Sequence, residues 1–229
     1  MPAMKIVCCS NMPYAREAFS TLGETVVKDG RAISPDDVRA AHILAIRSTT
    51  MANRALLEGS GVKFVGTATI GTDHMDTAWM EAKGIVWRHA PGCNANSVSE
   101  YLASALLCLA NRHGFTLEGK TIGVVGVGNV GSLVVKKAEA LGLRVLRNDP
   151  PRQEAEARSR KSEGGSRKAE GEGANDFVSL DRVLAESDIV TLHVPLTKTG
   201  PHATYHMADR AFFGKMKRGA IFLNLARGA

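Results

Sequence analysis

An α/β fold built on parallel sheets is the expectation for this 229-residue sequence, and three observations carry it. Short apolar runs alternate with stretches of helical spacing along most of the chain, the order that βαβ units produce. The run Thr121-Ile122-Gly123-Val124-Val125 leads into Gly126-Val127-Gly128-Asn129-Val130-Gly131 and then into a stretch that reads as helix. Asp149 closes the next apolar run, where dinucleotide-binding units carry an acidic residue. Together these predict a Rossmann-type doubly wound parallel sheet in the second part of the chain and a flavodoxin-like α/β lobe before it.

The elements follow in order. Lys5–Cys9 is an apolar run short enough for a buried strand, and 13–22 has helical spacing at Ala15, Ala18, Phe19 and Leu22 before Gly23. A strand at 25–28, a short helix at 36–41 after Ser34-Pro35 and a strand at 43–46 come next. Asn53–Leu57 reads as a helical turn, 64–67 as a strand, 76–83 as a helix stopped by Gly84, and 85–87 as a strand. Residues 97–111 form a longer, mostly apolar helix with Asn94 or Asn96 as its cap, expected to lie buried as the link between two lobes. The second lobe then holds strands at 121–125, 144–148, 189–194 and 220–225, with helices at 129–141 and 179–186. The division is 1–96 for the first lobe and 97–229 for the second. Charged and small residues fill 152–174 with nothing large and apolar, so this stretch reads as a solvated loop inserted on the second lobe.

Composition narrows the functional classes. The net charge of +6 is spread without a basic stripe and aromatics are only 5%, which argues against a nucleic-acid footprint. A diffuse positive excess suits small phosphates or carboxylates. Cys8, Cys9, Cys93 and Cys108 have no C-x-x-C spacing, so reduced thiols and no metal centre are expected. The N-terminus has no apolar signal core, and the longest apolar run, 101–110, is too short for a bilayer. The reading is a cytoplasmic protein with no membrane partner.

The glycine motif carries the chemistry. Gly126 makes the tight turn off the strand, Gly128 lets the backbone approach a pyrophosphate, and Gly131 lets helix pack closely on strand. The N–H groups of Asn129, Val130 and Gly131 then begin a helix over which phosphate charge can sit. Asp149 can accept hydrogen bonds from ribose hydroxyls and repels a 2′-phosphate, which favours NAD over NADP. Arg147 and Arg152 flank it and are the residues through which a 2′-phosphate could still be met. Two further strand ends, at His193-Val194 and at Asn224-Leu225-Ala226-Arg227, face the same crevice in such a sheet. The guanidinium of Arg227 can hold a carboxylate by two parallel hydrogen bonds and polarise a neighbouring carbonyl, which marks it as the candidate catalytic residue.

These residues resemble the D-2-hydroxyacid dehydrogenase family. The glycine motif and Ala226-Arg227-Gly228 match the family broadly. A branch that handles a phosphorylated hydroxy acid is matched by Asn11-Met12-Pro13-Tyr14-Ala15-Arg16, Val65-Gly66-Thr67-Ala68-Thr69, Gly71-Thr72-Asp73-His74, Ala90-Pro91-Gly92-Cys93-Asn94-Ala95 and Asp149-Pro150-Pro151-Arg152. The resemblance implies that Ser48 and Thr69 contact the phosphorylated hydroxy acid, with Arg47 as a phosphate partner. It also implies that Val194, Leu225, Ala226 and Arg227 line the NAD site.

The implied reaction is NAD-dependent oxidation by hydride transfer from the hydroxyl-bearing carbon. A histidine paired with a glutamate takes the hydroxyl proton, and both are expected downstream of Arg227-Gly228. The sequence stops at Ala229, so the resemblance implies a C-terminally shortened chain, a second sheet incomplete at its C-terminal side, and a homodimer only at full length. His74, His193, His202 and His206 are poor substitutes for the base. Other readings are another dehydrogenase of the family, of phosphoglycerate or glyoxylate type, and a non-catalytic NAD-binding module.

Overall fold

Two wholly parallel sheets organise the protein. The structure, a computed structural model, describes residues 3–162 and 177–228. They form two units, the first reaching Asn94 and the second starting at Ala95.

In the first unit the order along the chain is β1 (Lys5–Cys9), α1 (Ala15–Ser20), β2 (Glu24–Lys28), α2 (Pro35–Val38), β3 (Ile43–Ile46), α3 (Arg54–Leu57), β4 (Phe64–Thr67), α4 (Thr77–Ala82) and β5 (Val86–Arg88). The strands lie in the order β2-β1-β3-β4-β5, with Val7 opposite Val26 on one side and Leu44 on the other. This is the flavodoxin-like order, and the chain reverses direction across the sheet between β1 and β3. Alternate residues of β1 serve the two faces. Val7 packs with Leu44, Ile46, Val65, Val38 and Met80, whereas Ile6 and Cys8 pack with Ala15 and Ala45. Both faces are covered, which is why the strands read as continuous apolar runs.

Local chemistry sets the ends of the helices. Ser34 and Asp37 form a reciprocal capping box at α2 with Pro35 in its first turn. Asn53 and Asp76 cap α3 and α4 through their side-chain oxygens, and Gly84 supplies the left-handed turn after α4 with φ of 69°. Helix α1 is shorter than the expected 13–22, because Tyr14 takes the left-handed conformation at φ 57° and the helix starts only after it.

The second unit runs α5 (Ala95–His113), β6 (Thr121–Val125), α6 (Asn129–Ala140), β7 (Arg144–Asn148), α7 (Pro150–Ser162), α8 (Leu180–Glu186), β8 (Ile189–Leu192), α9 (Arg210–Lys215) and β9 (Ile221–Asn224). Its strands lie in the order β7-β6-β8-β9, with Val125 opposite both Asn148 and Leu192 and Leu192 opposite Asn224. The chain therefore reverses between β6 and β8, the doubly wound arrangement. Ile122 and Val124 face Leu102 and Leu106 of α5 and Val134 and Ala138 of α6. Val125 and Val190 face Val183 and Leu184 of α8 and Phe212 of α9.

Three expectations are corrected. The long helix at 97–111 is Ala95–His113 and is not buried all round. Its buried stripe is Ala95, Ser99, Leu102, Leu106 and Ala110, while Tyr101 and Leu107 are exposed. The stretch read as a loop at 152–174 is helical as far as Ser162, and the remainder of that reading lies outside the described residues. Helix α7 forms without an apolar face because Asp149 accepts the Arg152 amide at 3.1 Å and i,i+4 ion pairs join Arg152 to Glu156 and Glu154 to Arg158. Helix α9 was not expected at all; Asp209 caps it by accepting the Phe212 amide at 2.8 Å. Among the described residues, no helix is long and apolar enough to cross a membrane.

Candidate functional site

The turn after β6 is built by two crowded glycines and one open one. Gly126 has φ of 89°, and a Cβ there would come within 2.8 Å of the His193 carbonyl carbon. A Cβ at Gly131 would collide with the Gly126 carbonyl oxygen. Both positions are closed by the protein itself. Gly128 is different, since a Cβ there meets nothing within 4 Å. It is the N-cap of α6, and no side chain caps the N–H groups that open the helix at Asn129, Val130 and Gly131. Open space in front of uncapped helix amides is what an anionic pyrophosphate requires, so the turn fits a dinucleotide.

The junction of β7 and α7 grips the same turn. Asp149 Oδ2 accepts the Val127 amide at 2.8 Å, and its Oδ1 accepts the Arg152 amide. Each carboxylate oxygen keeps a lone pair for a ribose hydroxyl. The Arg152 guanidinium donates through Nη1 to the Val127 carbonyl and to Ser132 Oγ at 3.2 Å. Arg147, the other cation that could meet a 2′-phosphate, lies instead against Glu139 of α6 at 2.7 Å with its side chain 11% exposed.

The ends of β8 and β9 lie together beside this turn. Val194, Ala226 and Arg227 line one small cavity of about 30 Å³ with Thr204 and Met207. Leu225 packs with the α5–α6 side of the core. The Arg227 side chain is exposed. Asn224 holds its backbone: Asn224 Nδ2 donates to the Arg227 carbonyl at 2.7 Å, and its Oδ1 accepts the Ala226 amide at 3.0 Å.

His193 follows β8 with Nε2 3.0 Å from Thr191 Oγ1, while Nδ1 is sealed from solvent with no hydrogen-bond partner among the described residues. Burial pulls its pKa down from 6.5 to about 4. The ring is neutral at ordinary pH and a weak base.

In the first unit, the predicted substrate residues share the carboxyl edge of the sheet. Arg47 and Ser48 follow β3, Thr69 follows β4, and the Ala68 amide donates to the Ile46 carbonyl at 2.9 Å between them. Arg47 Nη1 donates to the Asn11 carbonyl at 3.1 Å, and Thr49 Oγ1 donates to Asn11 Oδ1 at 3.3 Å. These contacts bridge the β1–β3 reversal, the crevice where open α/β sheets place ligands. Thr69 Oγ1 donates to the Gly71 carbonyl at 2.8 Å and lies 2.7 Å from Thr67 Oγ1. Thr67 Oγ1 lies 3.0 Å from Nε2 of the buried His74.

Sequence reasoning passed over Asn224, Ser132 and Thr67. Ser132 acts through the distant Arg152 and Thr67 through His74, whereas Asn224 acts on Ala226 and Arg227 just after it, so only its placement was a usable signal. Among the described residues, no group of three or more His, Cys, Asp or Glu side chains could hold a metal ion.

Residues 104–229 match the family model of the D-isomer specific 2-hydroxyacid dehydrogenase NAD-binding domain. The chain is 49% identical over 225 residues to the erythronate-4-phosphate dehydrogenase of Citrobacter koseri, an overlap of 98% of this chain and 55% of that protein. Identity to the enzyme of the same name from Klebsiella pneumoniae is 48%, with the same coverage. The chain thus spans about half the length of the curated relatives it matches.

Among solved structures, D-lactate dehydrogenase from Aquifex aeolicus complexed with NAD and lactic acid is similar at a TM-score of 0.74 and 26% identity, covering 97% of this chain and 69% of that one. The NAD-dependent formate dehydrogenase of Staphylococcus aureus in complex with NAD shares the fold at a TM-score of 0.76 and 23% identity, over 98% of this chain and 74% of that one.

Proposed function

This chain belongs to the D-isomer specific 2-hydroxyacid dehydrogenase family, and we propose that it carries the cofactor cradle and substrate edge of an enzyme oxidising 4-phospho-D-erythronate. The product is 2-oxo-3-hydroxy-4-phosphobutanoate, and the reaction belongs to pyridoxal phosphate biosynthesis. The observation that carries this reading is the 49% identity to an erythronate-4-phosphate dehydrogenase over 98% of the chain.

Bound NAD supplies the hydride acceptor. The residues here do the holding. Gly126, Gly128 and Gly131 keep the turn open while the α6 amides of Asn129, Val130 and Gly131 face the pyrophosphate. Asp149 takes the ribose hydroxyls, and Val194, Leu225 and Ala226 line the site beside them. Arg227 lies exposed beyond the end of β9 and offers its planar fork to the substrate carboxylate, fixing the hydroxyl-bearing carbon for transfer. Arg47 and Ser48 hold the phosphate, and Thr69 meets the carbon chain.

His193 does not serve as the base. Its pKa of about 4 leaves it too weak to draw the proton from an alcohol.

The weak base His193 also favours a second reading, an NAD-binding module without turnover. Mixing the chain with NAD and 4-phospho-D-erythronate and following absorbance of reduced cofactor separates the two. Cofactor reduction with this acid and not with 3-phosphoglycerate or 2-hydroxyacetate supports the substrate assignment. Reduction with either of the other acids alone overturns it in favour of a different dehydrogenase of the family. NAD-induced thermal stabilisation without turnover favours the module.

A further inference from the structure

The polar chain behind Thr69 has a direction, and counting protons gives it. A carbonyl oxygen can only accept, so the single hydroxyl proton of Thr69 is committed to Gly71. The contact between the two threonine hydroxyls is then donated by Thr67. Thr67 has no second proton, so the contact with His74 is donated by the ring through Nε2–H. The order runs His74 to Thr67 to Thr69 to the Gly71 carbonyl. Thr67 and His74 are 4% and 6% exposed, so the inner half of the chain is shielded from bulk water. Thr69, at the strand end, is half-buried and has one lone pair left to offer.

We propose that Thr67 and His74 are positioning residues that hold Thr69 as a hydrogen-bond acceptor, so that Thr69 receives a ligand hydroxyl while the ligand's phosphate oxygens fall to Arg47 and Ser48. The ligand half of this statement rests on the proposed reading that Thr69 meets 4-phospho-D-erythronate. An anionic oxygen at Thr69 would face lone pair against lone pair unless Thr69 released Gly71. A hydroxyl needs no such rearrangement. Selection then works by the polarity of one side chain, because a site built to pair with a hydroxyl is left unpaired by a ligand that lacks it.

Two measurements test this on the 229-residue chain. Long-range 1H–15N correlation spectra of the labelled protein read the His74 ring directly. A proton on Nε2 is expected, and a bare Nε2 with the proton on Nδ1 overturns the direction. Thr67→Val should perturb the His74 Nε2–H signal and Thr67→Ser should restore it; a signal indifferent to both also overturns it.

For the ligand, affinities of 4-phospho-D-erythronate and of 4-phosphobutanoate, which keeps both anions but has no hydroxyl, are compared in the parent and in Thr69→Val. The substitution should weaken the hydroxylated acid roughly tenfold and leave the hydroxyl-free acid within about twofold. The ratio between the two acids cancels any general loss of fold. Equal losses for both acids leave the ratio unchanged and would overturn the assignment. If neither acid binds the parent chain, the substrate reading fails and the ligand half falls with it, while the His74 spectrum still decides the direction.

Discussion

Asp149 and Val127 are joined by a 2.8 Å hydrogen bond from the Val127 amide to Asp149 Oδ2. Three residues beyond Asp149, the Arg152 guanidinium takes the Val127 carbonyl. Both main-chain polar groups of the residue between the first two glycines are thus held by side chains from the β7–α7 junction. The glycine turn is fixed before any ligand arrives, and preorganisation of this kind lowers the entropic cost of binding.

Asp149→Asn should test the discriminating carboxylate. The amide retains one acceptor oxygen for the Val127 N–H, so the turn should survive, but the charge that repels a 2′-phosphate is gone. NAD affinity is expected to fall by roughly tenfold and NADP affinity to rise relative to it. Titration calorimetry with both cofactors measures this. An unchanged ratio would place the discrimination elsewhere.

Arg152→Ala should weaken NAD several-fold while leaving the melting temperature close to that of the parent. Its partners in the turn are one carbonyl and one hydroxyl, and its contact with Glu156 is a partly exposed ion pair worth roughly 0–1 kcal/mol. Arg152→Lys should not restore affinity, because the guanidinium reaches the turn through Nη1 while Nε holds Glu156, and a single ammonium cannot span both. Full rescue by lysine would show that charge alone matters.

How far the sequence disclosed this arrangement depended on whether the signal was local. Buried parallel strands such as 121–125 and 43–46 are runs of apolar residues, so they were legible. The glycine motif was legible because its three glycines stand at fixed spacing between an apolar run and a helical stretch.

Helix α7 was missed because a helix with no apolar face has no periodicity to read, although its Arg–Glu pairs at i,i+4 were visible. The Tyr14 conformation that delays α1 has no local marker. The grip of Arg152 on Val127 and the His74–Thr67–Thr69 chain join residues distant in sequence or turned by the fold, and composition does not announce them. The roles of Ser48 and Thr69 rest on resemblance, since residue type alone leaves them a turn residue and a cap, whereas Arg227 stood out as a guanidinium at a strand end.

His193 gives the second unit a pH dependence with a definite sign. Its folded pKa of about 4 is below the ordinary 6.5, so the neutral ring is the native form. As pH falls from about 6.5 to about 4, the unfolded chain binds a proton that the folded ring refuses. The unit should lose at most about 3 kcal/mol across that window and nothing further from this group below it. Denaturant melts of the parent and of His193→Asn between pH 7 and 4 measure the slope. The variant should lack this component, and an identical slope would remove His193 as its source.

Gly131→Ala should damage the fold itself. The added Cβ collides with the Gly126 carbonyl oxygen, a backbone atom that cannot swing aside. A loss of about 1–3 kcal/mol is expected for the second unit in a chemical melt. Stability equal to the parent would contradict the close approach of α6 to the turn.

Gly128→Ala is the sharpest single test of the cradle. Its φ of −76° lies outside the left-handed region that favours glycine, and the new methyl group meets no protein atom within 4 Å. The account predicts a variant that melts with the parent or slightly above it and binds NAD at least tenfold more weakly by calorimetry, since the methyl occupies the approach of the pyrophosphate. NAD affinity equal to that of the parent in an equally stable variant would contradict it, and the cofactor would have to bind somewhere other than the turn between β6 and α6.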